Sequence, residues 1–141
     1  MHDCRYLAVL TDDPDGCVNA TFPDGPIAIT FGEDRADALR SASEALGLAL
    51  RGYLANGRAP PEVKAIGEDM VSPYLDDILK IAFVDSFRQS NMSREEFSRL
   101  AGLKPWKAEA LLDPDAAHEI AELENALTIL GRRLRRVVEA A

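Results

Sequence analysis

Residues 93–112, SREEFSRLAGLKPWKAEALL, predict two short helices joined by a tight turn. Ser93 followed by Glu96 forms a capping box, and the first helix is expected to end before Ala101-Gly102. The second helix is predicted from about Lys104 to Leu112. Residue types that allow two helices to cross closely occur at Phe97, Ser98, Gly102, Leu103, Ala108 and Leu111. This pattern predicts a helix-turn-helix, whose second helix enters the major groove of DNA, although an αα-hairpin that packs only for stability shares most of these signals.

The outward positions of this segment supply the candidate DNA contacts. Lys104 and Lys107 lie at the start of the second helix, whereas Glu109 and Ala110 offer no donor to a phosphate. Trp106, between the two lysines, is either a core or interface anchor or a base contact. The candidate DNA-binding residues are therefore Ser93, Arg94, Arg99, Lys104, Trp106 and Lys107.

Further helices are predicted on both sides of residues 93–112. The preceding helix begins at Ser72-Pro73 and extends to about Ser90, with apolar residues every three or four positions. The last helix is predicted to be capped by Asp113, to open with Pro114 and to end at Gly131. The second half of the chain is thus predicted to be all-α.

The tail from Arg132 to Glu139 is predicted as a strand or a frayed helix. Its four arginines, Arg132, Arg133, Arg135 and Arg136, either contact phosphates or form a solvated charged face.

The first half has the pattern of a small sheet and one long helix. Strands are predicted over Tyr6 to Thr11 and Val18 to Phe22, and over the alternating residues Ile27, Ile29 and Phe31, which are expected on the buried face. A helix follows from Arg35 to Asn56, and Met70 and Val71 are predicted as a short edge strand. The predicted fold class is α+β, with a three- to four-stranded antiparallel sheet covered by one long helix and then an all-α helix-turn-helix domain. The domains are predicted as residues 1–70 and 71–141.

Charge separates the two halves. The formal net charge is −8, and residues 1–70 contain six Lys or Arg against twelve Asp or Glu. An acidic surface repels nucleic acid and attracts a basic protein, so DNA is expected at the second half. No apolar run could span a bilayer and no signal peptide is recognised, which predicts a cytoplasmic protein with no membrane partner.

The residues that could support catalysis are poorly placed for it. Asp12, Asp13 and Asp15 are predicted in a turn, Glu44 on the long helix, and no carboxylate inside a strand. A metal-dependent nuclease needs converging carboxylates, so no catalytic residue, metal or cofactor is predicted. His2 is terminal and His118 is expected on a helix surface, without a nucleophile beside it. Cys4 and Cys17 are expected at opposite ends of a hairpin and therefore as free thiols.

The order of motifs along nearly the whole chain resembles the HicB antitoxin family. In the first half the resemblance rests on Tyr6-Leu7-Ala8-Val9, Asp15-Gly16, Phe22-Pro23-Asp24, Gly32 before an Ala/Leu-rich helix, and Pro60-Pro61. In the second half it rests on Ile81-Ala82-Phe83, Ser93 to Phe97, Leu111 to Pro114 and Leu123 to Gly131. Two departures are Gly25-Pro26-Ile27, where the family often has Leu-Pro-Gly, and the second helix of the helix-turn-helix with its Pro105, Trp106 and Glu109.

The resemblance implies a degenerate ribonuclease-H-like first domain that binds and silences a HicA-like toxin, a small enzyme that cleaves mRNA. It implies a second domain that dimerises, binds operator DNA and represses the operon, as a homodimer or tetramer. The acidic turns then supply the candidate toxin-binding residues Asp12, Asp13, Asp15 and Asp24. The alternative is a transcriptional regulator whose first domain senses a small molecule or a protein and has no toxin partner.

Overall fold

The first half forms the predicted antiparallel sheet in two connected parts. A computed structural model describes residues 4–135, Val138 and Ala140. Strands β2 (Val9–Asp12), β3 (Val18–Thr21) and β4 (Ile29–Gly32) pair in that order, and β1 (Tyr6–Leu7) pairs with β5 (Met70–Val71). The first strand is divided, in contrast to the single strand expected, because β1 pairs with β5 whereas β2 pairs with β3; the Ala8 N–H, which donates to the Asp69 carbonyl at 2.9 Å, continues the β1–β5 pairing. The edge strand predicted at Met70 and Val71 is confirmed.

One long helix, α1 (Arg35–Ala55), covers one face of the three-stranded sheet. Asp34 caps its start by accepting a hydrogen bond from the Asp37 N–H, and Gly57 follows its end in the left-handed conformation. The start of the helix lies so close to β4 that a Cβ on Gly32 would be 2.2 Å from the Ala38 nitrogen. Glycine is therefore required where the strand passes under the helix.

The side chains of β4 face the opposite way from the prediction. Ile27, Ile29 and Phe31 are 60%, 67% and 65% exposed, whereas Ala28 and Gly32 are buried. Alternation defines two faces but does not indicate which one a helix covers. Because α1 approaches β4 closely, the small residues face the helix and the large apolar ones face solvent.

The described part of the second half has four helices, α2 (Leu75–Ser90), α3 (Arg94–Ala101), α4 (Pro105–Leu112) and α5 (Ile120–Ile129). Helix α2 begins two residues later than expected, with Tyr74 at its N-cap. The prediction that Asp113 and Pro114 open the last helix is wrong. Asp113 ends α4, and its carboxylate accepts the Asp115 N–H at 2.9 Å in the turn that follows. The α+β class is confirmed.

A continuous apolar core joins the sheet, α1 and the four later helices. Three phenylalanine rings pack between α2 and α3, with Phe97 centred 5.3 Å from Phe83 and 5.8 Å from Phe87. Helices α1 and α2 meet at Gly47, where an added Cβ would lie 2.3 Å from Asp77 Oδ2. Burial raises the pKa of Asp77, and Arg51 Nε pairs with its Oδ1 at 2.6 Å.

An extended segment of residues 58–69, here called the strap, connects α1 to β5 along the sheet. The Tyr6 hydroxyl donates to the Pro61 carbonyl at 2.6 Å, and Asp24 accepts backbone N–H groups of Lys64 and Ala65 at 2.8 and 2.7 Å. These contacts hold the strap in place. Cys4 and Cys17 form no disulfide with each other. Within the described residues, no helix has the length and apolar character needed to cross a membrane.

Candidate nucleic-acid and partner interfaces

Helices α3 and α4 are joined by the tight turn that the sequence predicts. Ser93 is the N-cap of α3, and its Oγ accepts the Glu96 N–H at 3.0 Å. Gly102 ends the helix with φ of 65°, a conformation that favours glycine. Buried Ser98 closes the turn, since its hydroxyl donates to the Leu103 carbonyl at 2.7 Å and its carbonyl accepts the Leu103 N–H at 3.0 Å. The geometry is that of two helices crossing around a fixed turn.

The start of α4 is the most accessible part of this unit. Lys104 is its exposed N-cap residue and Pro105 is its first residue, so the N-terminal end of the helix faces solvent. Trp106 follows and is 67% exposed. This exposure excludes the core interpretation of Trp106 and leaves two predictions, an interface anchor or a base contact. An exposed helix N-terminus beside a lysine attracts anions.

Two of the other candidate DNA contacts are occupied by carboxylates. Lys107 Nζ lies 2.8 Å from Glu122 of α5, with both side chains mostly buried. Arg94 Nη1 lies 3.2 Å from Glu109 on the exposed surface. Arg99, by contrast, is exposed in the last turn of α3 and has no ion pair with any residue that the structure describes. Lys104 and Arg99 are therefore the cations most available to a phosphate.

A buried lysine that the sequence analysis did not single out holds the far end of α4. Lys80 of α2 has no exposed surface, and its Nζ donates to the carbonyls of Ala110, Leu111 and Asp113 at 3.2, 3.0 and 3.0 Å. These carbonyls lie at the C-terminal end of the helix, where the backbone leaves acceptors unpaired and the dipole favours a cation. Burial lowers the pKa of Lys80 to about 8.

The four candidate toxin-binding aspartates have different surroundings. Asp12 is the last residue of β2, opposite Val18, so the expectation that no carboxylate falls inside a strand is wrong. Asp13 and Asp15 lie in the following turn, where Asp13 accepts the Asp15 N–H and an Asn19 side-chain donor; the backbone hydrogen bond is the main reason that its pKa is lowered. Asp24 is engaged by the strap, whose N–H groups lower its pKa as well. Asp12 and Asp15 are the most accessible of the four.

Two further expectations concern the other ionisable groups. His118 lies before α5 and not on a helix surface; its ring nitrogens are buried, and burial lowers its pKa. Over the described ranges, His, Cys, Asp and Glu form no group of three or more that could hold a metal ion. In the arginine-rich tail, Arg132 to Arg135 are neither strand nor helix, and Arg136 lies outside the described residues.

The fold and these two surfaces define a small α+β protein that combines a pair of short helices crossing around a tight turn with an acidic sheet. No protein-family model matches the chain. "Antitoxin HicB 2" of Photorhabdus laumondii is 31% identical over 133 residues, which cover 94% of this chain and 95% of that protein. "Antitoxin HicB 1" of the same organism is 26% identical over 99% of this chain and 90% of its own length, and "Antitoxin HicB" of Escherichia coli is 27% identical over 95% and 99%. The chain belongs to the HicB antitoxin family.

Proposed function

We propose that this protein neutralises a HicA-like, mRNA-cleaving toxin through its first half, residues 1–70, and represses its own operon through its second half, residues 71–141. The family assignment supports a non-enzymatic role in a toxin–antitoxin system. The observation that carries the DNA-binding part is the exposed N-terminal end of α4 with Lys104 and Trp106, held by the closed turn at Gly102.

The DNA surface consists of residues around the α3–α4 turn. Lys104 and the Trp106 N–H at the start of α4 bind a phosphate, Arg99 binds a neighbouring phosphate, and Ser93 and Arg94 extend the contact along α3. Exposed Trp106 adds a contact at the same helix end, and Lys107 follows it in the first turn of α4. Lys107 first has to leave Glu122, which is 2.8 Å away, so its contribution to DNA affinity is smaller than that of Lys104.

Binding of the promoter duplex upstream of the protein's own gene tests this surface. Lys104→Ala should weaken binding and reduce the slope of log affinity against log salt by about one, because one phosphate contact is lost. Lys64→Ala is the matched control, since Lys64 is equally a surface lysine but lies in the strap. Fluorescence anisotropy across a salt series measures both. Equal affinity and equal salt dependence for the two variants would contradict the proposal that the start of α4 contacts DNA.

The acidic first half supplies the toxin-binding part of the proposal. A toxin that holds RNA requires a basic surface, so Asp12 and Asp15 attract it. Asp13 and Asp24 add to the field, while Asp13 also stabilises its own turn and Asp24 holds the strap. Replacing Asp12 and Asp15 with Asn in the full chain should slow association with the product of the adjacent reading frame, chiefly at low salt. Stopped-flow association rates that do not change with ionic strength would contradict this role.

We also propose that the second half forms a homodimer, and through it a tetramer, because one helix-turn-helix gains affinity by binding two half-sites. A groove of about 510 Å³ between α2, α5 and residues 131–135 supports this assignment. Its apolar lining includes Ile78, Ala82 and Leu127. Analytical ultracentrifugation of the full chain at micromolar concentration should show at least a dimer. A monomer at that concentration would contradict the proposed oligomer.

A further inference from the structure

The face of the three-stranded sheet opposite α1 is open and apolar. The register places Val9, Thr21 and Ile29 in one cross-strand row and Thr11, Asn19 and Phe31 in the next. Ile29 and Phe31 lie on β4, which pairs with β3 and is an edge strand among the described residues. No described residue covers their side chains, since about two thirds of each is exposed. Ile27, just before β4, extends this open face.

The distribution of large and small residues indicates that this face is an interface. The side of the sheet under α1 has Ala20, Ala28 and Gly32, whereas the solvent side carries an isoleucine and a phenylalanine on one edge strand. Contiguous exposed apolar side chains on a sheet edge favour association with another chain. Natural sheets commonly protect such an edge with lysine or proline, and β4 has neither within its span.

The charges around the open face define the chemistry of its occupant. Residues 6–34, which include all three strands, contain six carboxylates and no lysine or arginine. Asp12 and Glu33 lie at the end of the sheet next to the Phe31 row, and both are exposed. A second copy would bring six more carboxylates to the same place, so like charges oppose self-association here. A protein surface with an apolar centre surrounded by lysine and arginine is complementary to both the apolar side chains of the open face and the carboxylates around it.

We propose that the open face, centred on Ile29 and Phe31, binds the basic, RNA-holding surface of the toxin, with the apolar pair at the centre of the interface and the carboxylates at its rim. This inference rests on the proposed toxin neutralisation and deepens it. Binding at the centre of an interface depends mainly on a few buried apolar anchors, while rim charges accelerate association. Occupation of the face then hides the surface with which the toxin holds RNA.

Substitutions on the solvent side of the strands test the proposal in the full chain. Ile29→Thr with Phe31→Thr keeps strand propensity and touches no core residue, so the circular dichroism and melting temperature should remain close to those of the original protein. The double variant should bind the purified product of the adjacent reading frame at least about 100-fold more weakly. Leu48→Gln is the matched control, because Leu48 is 66% exposed on the outer side of α1; its affinity should change less than about twofold.

A charge test at the centre of the face separates an interface from a folding effect. Thr21 is exposed on the middle strand, between Val9 and Ile29. Thr21→Arg should weaken binding by about tenfold or more, whereas Thr21→Glu should retain it, since the proposed partner is basic.

The outcomes distinguish this inference from the proposed function. If the original protein binds the product of the adjacent reading frame and the Ile29/Phe31 variant binds it equally well, the open face is not the site, although the antitoxin role stands. Equal binding by Thr21→Arg and Thr21→Glu would also overturn it. If the original protein shows no binding at all, the proposed toxin neutralisation fails and the inference with it. Dissociation of the protein's own oligomer by the double variant would assign the face to a second copy and overturn the toxin contact.

Discussion

Replacing Lys80 with methionine should reveal how firmly α4 is attached to the rest of the second half. Methionine has a similar length and can occupy the same apolar space, but it cannot donate to the three carbonyls at 3.0–3.2 Å. A buried acceptor left without a donor costs about 1–3 kcal/mol, and the Leu111 carbonyl is the buried one of the three. We expect the free energy of unfolding at pH 7 to fall by about 2 kcal/mol, measured by urea denaturation.

The pH dependence of the free energy of unfolding shows whether the charge of Lys80 contributes to this difference. Burial lowers the pKa of Lys80 from 10.5 to about 8; Arg51 and Lys107 add to the lowering, while Asp113 and Glu122 oppose it. Between these two pH values the unfolded chain binds more protons at this residue than the folded one, so stability rises with pH. This pH-dependent contribution of Lys80 to stability is complete above pH 10.5 and is lost as the pH falls through about 8. The stability difference between the original protein and Lys80→Met should therefore widen by about 1.4 kcal/mol per pH unit from pH 8 to 10.

An exposed lysine provides the control for both measurements. Lys64→Met makes the same chemical change on a side chain that is 74% exposed, and its stability should stay within about 0.5 kcal/mol of the original at every pH. Our reasoning is refuted if Lys80→Met is as stable as the original protein at pH 7. It is equally refuted if the difference between them does not change between pH 8 and pH 10.

Three further predictions concern backbone positions and the strap. Gly102→Ala should lower the free energy of unfolding by about 1 kcal/mol, because φ of 65° is unfavourable for alanine; an unchanged thermal transition would contradict it. Gly47→Ala should lower the melting temperature by several degrees, since its methyl group would overlap the α2 carboxylate, whereas Gly52→Ala on the same helix meets nothing and should raise stability by about 0.5–1 kcal/mol. Similar melting temperatures for these two variants would show that α1 and α2 are not in tight contact. Asp24→Ala should speed hydrogen exchange of the two strap amides that it caps, and because the pKa of Asp24 is lowered, acid should produce the same effect only below about pH 3.8. Equal exchange rates in the variant and the original protein at pH 6 would exclude the cap.

The two helices α3 and α4 and the tight turn between them could be predicted because their determinants are local. Ser93 caps the N–H group three residues away, and Gly102 takes a backbone conformation that few other residues adopt. Neither effect requires knowledge of distant parts of the chain. The prediction for the start of α5 is wrong for the opposite reason, because it depends on distant contacts. An aspartate followed by proline suits a helix start, but here Asp113 ends α4 and forms a turn whose backbone is also held by Lys80.

Two features depend on tertiary contacts that no local pattern contains: which side chains of β4 face α1, and the role of Lys80. The sequence around Ile29 and Phe31 alternates regularly, so both faces satisfy a strand, and only the close approach of α1 at Gly32 decides between them. One signal for Lys80 was present. It lies within an apolar run of α2 that is hydrophobic on nearly all sides, where a lysine is expected to be buried. Its three acceptors could not be foreseen, since they lie about 30 residues later.

Trp106 is the only tryptophan in the sequence, and its indole lies in solvent at the start of α4. The emission of the unliganded protein should therefore resemble that of a hydrated indole and report on one helix end alone. A ligand on the open face of the sheet leaves this emission unchanged unless α4 itself moves, whereas a duplex against α4 shields the ring from acrylamide. The molecule thus contains an optical label that distinguishes its two binding events without any added dye.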